Sequence, residues 1–131
     1  MDARNRQRFD RELEWVVQRL PDEVKEFLEE TPLHVEDYPS PQVLAESGVT
    51  DRDELCGWYT GVPLNDRSAT LPPLLPDMIF LYREGNLSLA TDDAGHVDID
   101  LLRTEIRTTI LHEFAHYLGM EEDELEDLGF G

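Results

Sequence analysis

Apolar residues recur at helical spacing between residues 6 and 30. Phe9, Leu13, Val16, Val17 and Leu20 share one face, and Val24, Phe27 and Leu28 form a second face beyond Pro21. Proline there restarts the pattern, because a first helical turn tolerates it, and Asp22 and Glu23 bring charge suited to a helix N-terminus. Two helices are predicted. The second should stop before Thr31-Pro32, since the residue ahead of a proline is pushed out of the helical region. Leu33 and Val35 then alternate with His34 and Glu36, the period of a short strand.

Six of the eight prolines fall between Pro39 and Pro76, together with Gly48, Gly57 and Gly61, so loops around one or two short strands are expected there. The best strand in that stretch is Leu55 to Leu64, LCGWYTGVPL, apolar and aromatic but interrupted by glycine. Met78 to Tyr82, MIFLY, is a continuous apolar run of strand length, and residues 84 to 97 read as another loop. Asp98 or Asp100 can cap a helix whose apolar positions Leu102, Ile106, Ile110 and Phe114 step by four through Leu118 to a stop at Gly119. A short acidic helix over about 121–128 closes the chain. These elements predict one α+β domain over residues 1–131, with an N-terminal helix pair, a small mixed sheet, a long C-terminal helix and a short one after it.

Composition narrows what such a domain can do. Val, Ile, Leu and Phe make up 36 of 131 residues, enough for a folded core despite the charge. With 30 acidic and 11 basic residues the net charge is −19, a field that repels phosphodiester backbones and anionic membrane surfaces. Neither nucleic acid nor membrane is expected as a partner, and a monomer is expected. The charged opening MDARNRQRFD carries no secretory signal, and no apolar run reaches the roughly 18 residues of a spanning helix, so a cytoplasmic location is expected. Cys56 is the sole cysteine, which excludes an internal disulfide and any multi-cysteine zinc ribbon.

Candidate chemistry lies in the long helix. His112-Glu113-Phe114-Ala115-His116 is an HExxH pattern, and positions i and i+4 stand one turn apart on one face, so two imidazoles can converge on one Zn²⁺. Glu113 need not touch the metal; it can take the proton of a metal-activated water and pass it to a leaving amine. In a chain with 4 histidines this pattern arises by accident with a frequency of roughly one in seventy, so its helical context has to carry the rest.

Catalytic zinc sites usually take three protein ligands. Gly119 can turn the chain back, and Glu122 follows three residues later, giving HExxHxxGxxE, with its neighbour Asp123 as the alternative. That acidic run can also be an ordinary solvated helix face. His34, His96 and Cys56 are competing donors. Tyr59, Tyr82, Tyr117, Arg83 and His96 could each stabilise an oxyanion, but spacing alone brings none of them to the metal.

With these residues in view, the sequence resembles the small bacterial zincin-like zinc metallopeptidases, also called minimal metalloproteases. The resemblance runs over the N-terminal helix pair, LCGWYTGVPL, LPDMIFLYRE and TEIRTTILHEFAHYLGMEEDELEDLGFG, and is loose between residues 40 and 54. It implies a mixed α/β zincin core in which the Met78–Tyr82 strand runs near the active-site helix beside a peptide-binding cleft. It also implies a zinc ligand at Glu122, where relatives often carry Asp, while the family's biological substrates are largely unassigned; a peptide or unfolded-protein substrate is expected here.

Three functions compete at this stage. One is a zinc peptidase held by His112, His116 and Glu122. The second is an inactive zinc-binding module for peptides or protein partners. The third is a hydrolase of another class. Glu54-Leu55-Cys56-Gly57 is only faintly similar to the cysteine segment of peptide deformylases, and zinc endoribonucleases lack the glutamate of the motif.

Overall fold

The computed structural model of the chain describes residues 1–61 and 77–120 together with Glu124. Helix α1 covers Ala3–Val17, starting ahead of its apolar face because the Asp2 carboxylate accepts the Asn5 N–H at 2.8 Å. Helix α2 covers Asp22–Glu30 with Pro21 at its cap, and the backbone turns extended at Thr31 as the following proline requires. Strand β1, Leu33–Glu36, lies where the alternation placed it. The expected helix over 121–128 falls outside the described residues apart from Glu124, which is helical.

Two elements depart from the sequence reading. A helix, α3, spans Pro41–Ser47 inside the stretch read as loop and strand. Pro41 occupies its first turn, the Ser40 hydroxyl accepts the Val43 N–H at 3.2 Å, and Gly48 closes it at φ 74°. Proline there starts a helix instead of breaking one. The second is α4, Arg83–Ala90, which replaces the first half of the loop expected over 84–97.

Helix α4 contains three poor helix formers, Gly85, Asn86 and Ser88, and tertiary contacts hold the first two in place. Asn86 is fully buried and donates to the carbonyls of Tyr82 (2.8 Å) and Cys56 (3.1 Å). Gly85 packs directly on the Leu55 carbonyl, where a Cβ would collide. The remainder of the expected loop is a tight turn, bridged from Thr91 to Val97, in which the Asp92 carboxylate accepts the Ala94 and His96 N–H groups.

The sheet has the order β1-β3-β2, with β2 at Gly57–Thr60 and β3 at Met78–Tyr82. Strand β2 forms the centre of the expected Leu55–Leu64 strand; Gly61 follows at φ 140°, and residues 62–64 lie outside the described ones. β1 runs parallel to β3, with Leu33 opposite Ile79 and Val35 opposite Leu81, and β2 runs antiparallel, with Gly57 opposite Leu81 and Tyr59 opposite Ile79. The sheet is mixed, and the molecule is α+β.

One sheet face builds the core. Ile79 and Leu81 are fully buried with Phe9 and Val16 of α1, Val24 and Phe27 of α2, and Leu102, Ile106 and Ile110 of α5, Ile99–Leu118. On β3 the alternate residue Phe80 instead stacks on His34. Among the described residues no helix is long and apolar enough to cross a membrane.

The surface between α1, β1 and α4 is held by ions. Arg83 clasps Asp10 through two bonds of 3.0 and 3.1 Å and reaches Asp37 at 3.0 Å, and Arg6 meets Asp37 at 2.6 Å. The Arg6 hydrogen bond holds the Asp37 carboxyl below the usual carboxylate range, against partial burial and with help from Arg83.

Candidate metal centre

Helix α5 carries the HExxH residues in its last two turns, and its ends are set locally. The Asp98 carboxylate accepts the Leu101 N–H at 3.1 Å, so the first of the two expected caps is the one used. At the other end Gly119 takes φ 73° and its N–H bonds the His116 carbonyl at 3.0 Å, while the Met120 N–H bonds the Ala115 carbonyl at 2.8 Å. That pair of bonds is a Schellman ending, and it directs the chain away from the helix axis at the point expected.

His112, Glu113 and His116 occupy three different environments on this helix. Leu102, Ile106, Ile110 and Phe114 are all buried and fix its rotation about its axis. His112 is then half-buried and His116 exposed, its side chain 61% accessible. Glu113 turns inward and is only 6% exposed. A carboxylate at that depth is costly without partners, and the Nδ1 of His116 lies 3.3 Å from its Oε2. The acid therefore sits at the boundary between core and solvent, beside an imidazole one turn along.

Strand β2 forms the wall behind Glu113. A Cβ at Gly57 would lie 2.5 Å from Thr109 Cγ2, 3.1 Å from the Phe80 carbonyl oxygen and 3.5 Å from Glu113 Cγ. Only a residue without a side chain lets the strand approach α5 this closely. Thr109, one turn before Glu113, is itself held: Oγ1 lies 2.8 Å from the Glu105 carbonyl and 3.2 Å from Asn86 Oδ1. Gly57, Thr109 and Asn86 were not singled out in the sequence as site residues, since each acts through a partner distant along the chain. A glycine inside an aromatic strand was their one visible signal.

The competing donors do not join the helix. His34 stands on the sheet face opposite the core and stacks on Phe80 at 5.3 Å. His96 lies in the turn after α4, 83% accessible and 3.7 Å from Asp92. Cys56 lies beside Thr109, where burial, reinforced by the charge of Glu105, pushes its thiol up to about 11 and keeps it protonated at neutral pH.

Of the oxyanion candidates, Arg83 is spent on Asp10 and Asp37, and Tyr82 is buried, its hydroxyl pushed up first by burial and then by the charges of Glu36 and Glu113. Tyr117 lies in the last turn of α5 and Tyr59 of β2 approaches it, with rings 6.4 Å apart, and the Tyr59 hydroxyl donates to Asp77 at 2.7 Å. Glu122 and Asp123 lie outside the described residues.

Among the described residues no group of three or more His, Cys, Asp or Glu side chains gathers as a metal site; the helix offers two imidazoles. Imidazole nitrogens suit zinc, and an i, i+4 pair with a buried carboxylate between them fits the group that the motif implies. A model of the zincin-like metallopeptidase family matches residues 28–131. The chain belongs to the zincin-like metallopeptidase family.

Membership implies zinc binding and peptidase chemistry as the frame for the site. The matched span takes in the whole sheet, α3, α4 and α5 and leaves α1 outside it, although α1 supplies Phe9 and Val16 to the core. No curated protein matches the chain.

Proposed function

We propose that the protein is a zinc-dependent metallopeptidase that hydrolyses peptide bonds in peptides or unfolded proteins. The observation that carries this reading is the inward turn of Glu113 between His112 and His116, a buried acid held beside an exposed imidazole at 3.3 Å. A carboxylate on the Nδ1 of a ligating imidazole would orient that ligand in any zinc site; peptide hydrolysis needs in addition a proton acceptor beside the metal, and Glu113 is the buried acid next to both histidines of the motif.

His112 and His116 would hold the zinc, with Glu122 as the third ligand. Zinc, when bound, supplies Lewis-acid polarisation of the peptide carbonyl and lowers the pKa of water. Glu113 takes a proton from the attacking water on the carboxylate and delivers it to the departing amine nitrogen, which restores the carboxylate. Its Cγ packs against Gly57 of β2, 3.5 Å from where a Cβ would stand there, so the strand backs this acid on one side.

Replacing Glu113 by Gln tests the assignment, with cleavage of a set of unstructured peptides measured beside zinc content. The expected result is a loss of turnover of about 10²–10⁴-fold with zinc retained. Wild-type turnover in that variant would remove Glu113 from the mechanism. A fully zinc-loaded wild type that cleaves none of the peptides would leave the non-enzymatic binding module in its place.

A further inference from the structure

Arg6, Arg11, Arg52, Arg83 and Arg103 each meet a carboxylate, and Arg4, Arg8, Arg19 and Arg107 meet none among the described residues. Arg19 and Arg107 both line one groove of about 340 Å³ between the end of α1 and the first turns of α5. Trp15 forms its apolar wall. The guanidinium carbons of Arg19 and Arg103 lie 4.0 and 3.8 Å from the centre of that indole ring, and Trp15 remains 36% exposed. Glu12 answers Arg103 at 2.8 Å and Asp100 is the one acid of the lining, so positive charge is left over beside an aromatic surface.

We propose that this groove binds a carboxylate carried on an apolar or aromatic body, either a small organic acid or the free C-terminus of a peptide ending in an apolar residue. The exposed edge of the indole and the stems of the arginines receive the body. Arg19 and Arg107 receive the carboxylate, the arginine fork being suited to two parallel bonds with its oxygens. The groove is distinct from the metal centre: on α5, His112 lies roughly 140° around the axis from Arg107. Its failure would leave the peptidase reading untouched.

The test is an NMR titration of the full chain that follows the side-chain Nε–H signals of Arg19 and Arg107 and the indole N–H of Trp15. The probes are 3-phenylpropionate and acetyl-Ala-Ala-Phe with a free C-terminus, each beside its uncharged amide. The expected result is saturable shifts of these signals with an acid and none with its amide. Shifts with phenylpropionate alone assign a small-molecule acid, and shifts with the peptide alone assign a chain terminus.

Arg19→Gln and Arg107→Gln alter exposed and half-exposed side chains, so the fold should persist, and each should weaken binding about tenfold through loss of a charged hydrogen bond. No saturable shift at millimolar probe, equal binding of acid and amide, or unchanged affinity in both folded variants would overturn the proposal.

Discussion

In the proposed mechanism Glu113 needs its carboxylate held in one place, and the residues where its helix meets β2 are small. Gly57 contributes by having no side chain, Thr109 by presenting a methyl group fixed through the bonds of its hydroxyl to Asn86 and Glu105. Gly57→Ala would drive a Cβ to 2.5 Å from Thr109 Cγ2 and 3.1 Å from the Phe80 carbonyl. The expected cost is about 1–3 kcal/mol of unfolding free energy, the range for overpacking a closed site. Adding Thr109→Ser removes Cγ2, keeps Oγ1, and should restore a large part of that loss in a urea titration. Wild-type stability in the single variant would show that β2 does not press on α5 as described.

At the scale of elements, the organising contact is α4 against the 3-10 turn at Arg52–Glu54, the Leu55 and Cys56 backbone ahead of β2, and α5. Its hub is Asn86, which ties the Tyr82 and Cys56 carbonyls to Thr109 within a buried network. Asn86→Leu keeps the volume and removes the donors. It should lower stability by about 1–3 kcal/mol, the cost of leaving buried polar groups unpaired, as read by denaturant unfolding. A variant as stable as the parent would mean that the network is dispensable.

These elements also show what a sequence can and cannot reveal. Helix α5 was legible because its signals are local: a cap at Asp98, apolar residues every fourth position, a glycine stop. Helix α4 was not, because Gly85, Asn86 and Ser88 argue against a helix until the Leu55 backbone and the Tyr82 carbonyl are in place. Helix α3 was within reach, since Ser40-Pro41 and Gly48 are ordinary start and stop residues, but a proline-rich neighbourhood masks a proline that initiates. The same division holds in the site: the HExxH spacing is local and visible, while Gly57 and Thr109 acquire meaning only when strand meets helix.

For the molecule as a whole, the charge of −19 coexists with a compact core because its cost is met locally by ion pairs and largely left to solvent elsewhere. Arg83 joins α1 to the segment after β1 through Asp10 and Asp37, and Arg103 joins α5 to α1 through Glu12. The helix that bears the motif is thereby anchored at its N-terminal half by α1 and at its C-terminal half by β2, α2 and the Schellman turn. Such anchoring suits a metal centre, whose ligands must be held close to one geometry before the ion arrives. The placement of Glu113 rests on that helix, which lies within the family span of residues 28–131, so the zinc itself is the measurement of most consequence.

Elemental analysis of the purified chain, loaded with zinc and dialysed, should give one zinc per chain for the wild type and next to none for a folded His112→Ala/His116→Ala double variant. A wild type that holds no zinc, or a double variant that holds it undiminished, would contradict the account.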